Sequence, residues 1–148
     1  MDKVKEESTS HLEQILKRVD SFDTADRMTR EHAKEPKPFH ILFSEYIAEH
    51  GLQASEVYAL SGVDRNYVYN ITSGKRKHPG RDKIIALCIA SGMSVEEVNR
   101  TLRTCEVNAL YPKNARDIRL AACINQGMRD ITKINIVLDE EGLPPLDV

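Results

Sequence analysis

Seven glycines, no two adjacent, punctuate the chain at positions 51, 62, 74, 80, 92, 127 and 142. Between them apolar residues recur three and four apart, and no stretch alternates apolar with polar residues between turn residues. Three-and-four spacing is the helical period, and strict alternation would be the strand period. A glycine just past a periodic segment readily takes the left-handed backbone with which many helices end. The chain is therefore read as all-α, a succession of short helices.

From Pro38 onward the expected helices follow closely. The first spans 39–50, with Phe43, Tyr46 and Ile47 inward, and stops at Gly51. The second spans 54–61 and ends at Gly62; the third opens on Asp64, a good N-cap, and ends near Ser73-Gly74. The fourth runs from Pro79-Gly80 to Ser91-Gly92. The fifth covers 94–104, where Ser94 and Glu97 have the spacing of a capping box. Two more are expected at 113–126 and 130–141. Upstream, "SHLEQILKRVDSF" (10–22) sets Leu12, Ile15, Leu16 and Val19 on one stripe, an amphipathic helix capped by Ser10 or Thr9. "DTADRMTREHAKEPKP" (23–38) has little apolar content and two prolines, and is read as a linker or weakly helical arm. The expected division is an arm at 1–37, a helical domain at 38–104 and a helical hairpin at 105–148.

The last four helices hide a repeat. "RDKIIALCIASGM" (81–93) aligns with "RDIRLAACINQGM" (116–128) at an offset of 35. One residue of slippage then matches "VEEVNRTL" (95–102) to "ITKINIVL" (131–138). Two hairpins of one design sit in tandem, and such units bury their faces by stacking on a neighbour. The second hairpin is expected to extend the core of the first.

Composition removes several function classes. No run of 18 apolar residues exists, so no spanning helix is expected. The opening "MDKVKEESTSHLEQ" lacks the apolar centre of a secretory signal, which points to the cytoplasm. Cys88, Cys105 and Cys123 form no CxxC pair, and the histidines at 11, 32, 40, 50 and 78 show no ligand spacing. With no phosphate-binding glycine loop and no Ser/His/acid arrangement, no catalytic residue, metal or cofactor is expected. Cys88 and Cys123 lie in apolar runs and suit core packing.

Charge is uneven. The chain's net charge is −2, yet 65–83 holds six basic residues (Arg65, Lys75, Arg76, Lys77, Arg81, Lys83) against Asp82 alone. Such a local positive segment is the footprint of an anionic partner, although many charge runs are simply solvated. Val57, Val63, Val68 and Ile71 are spaced to pack the second helix on the third through a tight turn, the shape of a helix-turn-helix. With Val68 and Ile71 inward, 100° per residue puts Asn66, Tyr69, Asn70 and Ser73 on the opposite face, flanked by Arg65 and Tyr67. Asparagine can bond adenine in the major groove, arginine can bond guanine, and tyrosine can meet phosphate or a thymine methyl. Lys75, Arg76 and Lys77 follow, where a phosphate backbone would pass. The tyrosines equally suit packing on the next helix or on a partner.

The ordered set Gly51-Leu52, Ser61-Gly62-Val63, Val68, Ile71, Gly74-Lys75-Arg76, Pro79, Ala90, Gly92, Ser94, Glu97 and Leu102 resembles the Cro/repressor-type helix-turn-helix of the bacterial XRE-family regulators. The likeness covers 38–104. It implies a five-helix lambda-repressor-like domain, here extended by a second hairpin. It departs at Tyr58, at Ala54 where the family often has a phosphate-binding glutamine, and at Thr72. The resemblance implies a sequence-specific regulator of double-stranded DNA, bound as a homodimer on repeated half-sites. The stripe Leu12, Ile15, Leu16, Val19 and the C-terminal hairpin are the candidate dimer surfaces, and the stripe also suits folding back on the body, the reading slightly preferred. The alternative is a protein-interaction adaptor or antitoxin-like protein with the same fold, its N-terminal arm ordering on a partner.

Overall fold

Where the chain breaks is set by its caps. In a computed structural model, residues 9–33 and 37–148 are described. Among them are nine helices and no strand: α1 Thr9–Lys17, α2 Phe22–His32, α3 Phe39–Glu49, α4 Ala54–Ser61, α5 Arg65–Thr72, α6 Arg81–Ala90, α7 Val95–Thr104, α8 Ala115–Asn125 and α9 Ile131–Glu140. From α3 onward the boundaries fall within two residues of those expected, the usual fraying of helix ends. The described residues form two units, one within 9–33 and one within 37–148.

The first unit differs from expectation. The helix anticipated over 10–22 ends at Lys17, and the segment read as a linker carries α2. Ser21 Oγ accepts the amide of Thr24 at 3.0 Å, and Asp23 sits in the first turn. Both favour a helix start over continuation. A polar sequence suffices there because the helix is largely solvated and Arg27 pairs with Glu31 at 3.5 Å. The stripe residues Leu12, Leu16 and Val19 are exposed within this unit. The side chains of Thr9 and Ser10, expected as caps, the opening eight residues and the stretch 34–36 lie outside what is described.

The second unit is built around α6, whose residues 84–90 are all buried against α4, α7 and α9. Cys88 and Cys123 lie in this core. Phe39 and Phe43 stack at 5.3 Å and fasten α3, with Tyr58 of α4 beside Phe43 at 6.2 Å. Gly62 ends α4 at φ +68°, a conformation glycine reaches without Cβ strain. Asp64 then caps α5 through the amides of Asn66 and Tyr67. Ser94 and Glu97 close the expected capping box on α7, Asn114 caps α8, and Asp130 caps α9.

The repeat becomes a reciprocal interface. Arg81 of the first copy meets Asp117 of the second at 2.9 Å, and Arg116 of the second meets Asp82 of the first at 2.7 Å. The segment after each hairpin crosses to the other. Tyr111 donates its amide to Asp117 at 2.9 Å, and Asp147 donates its amide to Asp82 at 2.9 Å. Each crossing strap is held from behind by the matching asparagine, Leu110 to Asn99 Oδ1 at 2.9 Å and Leu146 to Asn135 Oδ1 at 2.8 Å. Within one chain this is the logic of a two-fold interface, where i touches j and j touches i. The one-residue slip is Arg129, which donates to Ala90 O at 2.9 Å. The copies differ where α4 lies. Ile84, Leu87 and Ala90 are buried, whereas their counterparts Arg119, Ala122 and Asn125 are exposed, so α4 finds an apolar seat on α6 and not on its equivalent α8, and it meets the second copy through α9.

Candidate nucleic-acid interface

α5 is positioned by its buried side, Val68 and Ile71, and by the Asp64 cap. That fixes its outer face. Arg65, Asn66, Tyr69 and Ser73 are exposed, Tyr69 by 61%, while Asn70 is half-buried. The carboxylate of Asp64, at the near end, is turned onto the first amides of the helix.

The chain then folds back tightly. Gly74 sits at φ +82°, and a Cβ there would lie 3.3 Å from His40 Nε2 of α3. Both constraints select glycine. The amide of Arg76 donates to Asn70 O at 2.8 Å, which ties the loop to the end of α5. Lys75, Arg76 and Lys77 are exposed on this loop, and Pro79 is buried at its base. Lys75 Nζ stands 5.9 Å from the Tyr69 ring.

Two parts of the anticipated site are arranged otherwise than sequence suggests. Tyr67 does not flank an open face. It is half-buried, its hydroxyl accepts the Gly80 amide at 3.3 Å, and its ring has Arg76 at 4.7 Å and Lys83 at 4.9 Å. The six-cation segment is also not six free charges. Arg81 is held by Asp117 and by the carbonyls of Asn108 and Ala109, and Lys83 by Asp147. Among the described residues, no carboxylate pairs with Arg65, Lys75, Arg76 or Lys77. These four form the cationic surface around the outer face of α5.

Beside the loop lies a cavity of about 90 Å³, lined by Phe39, Lys77, His78, Pro79, Ile84 and Cys105 among others. It is well below the few hundred Å³ of ordinary ligand sites. Among the described residues no three His, Cys, Asp or Glu side chains are grouped to hold a metal. Burial pushes all three thiols up, Cys105 to about 11, so each is protonated at neutral pH and a poor nucleophile. At the positions that depart from the XRE pattern, Tyr58 is half-buried against Phe43, and Thr72 Oγ1 donates to Tyr69 O at 3.3 Å.

Compared with family models, curated proteins and solved structures, the chain has no match.

Proposed function

We propose that the chain is a sequence-specific DNA-binding transcriptional regulator of the Cro/repressor-type helix-turn-helix class. In this reading α4 and α5 are the motif and α5 enters the major groove of double-stranded DNA. The observation that carries it is the juxtaposition on one surface of an acid-free polar face with cations that no carboxylate pairs with among the described residues. Arg65, Asn66, Tyr69, Asn70 and Ser73 would meet base edges or their flanking phosphates, and Lys75, Arg76 and Lys77 the backbone. A module of this size reads few base pairs, so two copies on repeated half-sites are part of the proposal, as is a cytoplasmic location. Among the described residues, no helix is long and apolar enough to cross a membrane.

Selection from a random duplex library at low salt tests this directly. Enrichment of a common sequence is expected. Binding should weaken steeply with salt, and Lys75→Ala with Arg76→Ala should flatten the log–log slope by about 2, since each phosphate contact contributes about 0.9. Absence of enrichment would sink the reading. It would favour a protein-interaction adaptor or antitoxin-like protein, for which the 61% exposed Tyr69 is the supporting observation.

A further inference from the structure

We propose that Tyr67 is a positioning residue, which shapes the 74–80 loop into a phosphate clamp without itself touching nucleic acid; this rests on the DNA-binding reading above. Three interactions occupy the side chain. Its hydroxyl takes the Gly80 amide at 3.3 Å, which closes the loop's far end onto α5. The Arg76 guanidinium stands 4.7 Å from the ring centre and the Lys83 ammonium 4.9 Å. An aromatic face holds such cations by its quadrupole. A guanidinium held against a ring keeps its planar fork of donors available at the edge, the geometry that suits a phosphate. Tyr67 therefore prepares Arg76 before any partner arrives, which lowers the ordering cost of binding.

The support behind Tyr67 comes from the far end of the second hairpin. Lys83 is anchored by Asp147 O at 3.0 Å and Asp147 Oδ2 at 3.8 Å, and its side chain is only 16% exposed. The strap carrying Asp147 is itself fixed by Asp82 and Asn135. A continuous set of contacts thus runs from the second hairpin through Lys83 and Tyr67 to Arg76. Tyr69, two residues on, is the opposite case: it is exposed, and Lys75 Nζ stands 5.9 Å from its ring centre. The two tyrosines divide the work, Tyr67 holding the loop and Tyr69 facing the partner.

The test compares Tyr67→Phe, Tyr67→Leu and Lys83→Met with Tyr69→Leu in the full chain. Amide hydrogen exchange of Arg76 and Gly80 is measured in the free protein. Salt-dependent binding is measured on the selected duplex and on a scrambled one. Tyr67→Phe should expose the Gly80 amide and keep Arg76 protected. Tyr67→Leu should expose both and flatten the salt slope by about 1, one phosphate contact. It should weaken selected and scrambled duplexes by the same factor, whereas Tyr69→Leu should change their ratio. Lys83→Met reports on the same clamp with Tyr67 intact, and should loosen Arg76 in the same direction. The proposal is overturned if Tyr67→Leu changes the ratio of selected to scrambled binding, or leaves both the slope and Arg76 exchange unchanged. A wild-type protein that binds no duplex refutes the regulator reading and the clamp's role with it. The exchange measurements then still show whether Tyr67 holds the loop.

Discussion

Replacing Asp117 by alanine removes the acceptor of one half of the reciprocal interface. The carboxylate is almost fully buried and takes Arg81 Nη2 at 2.9 Å, Arg81 Nη1 at 3.4 Å and the Tyr111 amide at 2.9 Å. Breaking one partner of a buried pair costs about 3–5 kcal/mol. Arg81 keeps a quarter of its side chain in water and retains the carbonyls of Asn108 and Ala109, which lowers the expected loss to about 2–4 kcal/mol. Asp82→Ala is the matched control, with the same change in net charge at the equivalent position. Asp82 takes the Asp147 amide at 2.9 Å and lies 2.7 Å from Arg116 Nη2. The approach of Arg116 is an ion pair without hydrogen-bond alignment, and neither Nε nor Nη2 of Arg116 has a hydrogen-bond partner among the described residues. The expected loss is about 1–2 kcal/mol. Urea unfolding followed by circular dichroism gives both values, at about 1–3 kcal/mol per molar urea. A double-mutant cycle on Arg81 and Asp117 should return a larger coupling than one on Arg116 and Asp82. If Asp82→Ala costs as much as Asp117→Ala, hydrogen-bond alignment is not what distinguishes the two halves.

Two further perturbations follow from the same unit. Glu106 sits at φ +61° where the repeat places Gly142 at φ +70°, so Glu106→Gly relieves left-handed strain at the price of a freer unfolded chain. A net gain of about 0.5–1 kcal/mol in urea unfolding is expected, and a loss would show that Glu106 is held by something its backbone does not reveal. Burial raises the Cys105 thiol to about 11, above the value of about 8.5 it regains on unfolding. The native state therefore keeps a proton that the unfolded state releases, so this stabilisation is intact below about pH 8.5 and is lost as pH rises through 11. Between pH 8 and 10.5 the midpoint of wild type should fall more than that of Cys105→Ala; parallel curves would refute the assignment.

Much of this architecture was written in local chemistry. Asp64, Ser94 with Glu97, and the glycines at 51, 62 and 92 each mark a helix end by a mechanism that acts over three or four residues. The repeat was visible because Arg-Asp, Cys-Ile and Gly-Met recur in order. That the two Arg-Asp pairs bind crosswise was not visible, since it depends on how the hairpins face one another. The break at Asp20-Ser21 is hidden for a different reason: apolar spacing runs across it, while the Ser21 cap and Asp23 signal a new start. On the candidate interface, the outer face of α5 followed from helical geometry once Val68 and Ile71 were inward. The effective charge did not, because the acids that engage Arg81 and Lys83 lie 36 and 64 residues away. Helical geometry alone puts Tyr67 at the rim, because its environment is made by the returning loop and by α6, which no helical wheel contains.

The crossed straps also bear on the order in which the chain can fold as it is made. Asp82 belongs to the first hairpin, but the amide that completes its hydrogen bonding belongs to Asp147, 65 residues later. Domains tend to fold as units during synthesis, and long-range contacts form late. When the first hairpin emerges, α6 still lacks its strap and the contacts of α9, and part of its apolar surface has no cover. The second hairpin therefore acts as a delayed lid on the first, and the helices proposed to read DNA gain their full support only once residues 146–148 have been added. A nascent chain halted before α9 would leave the side of α6 that α9 covers exposed, a natural target for chaperones or proteases that survey unfinished proteins.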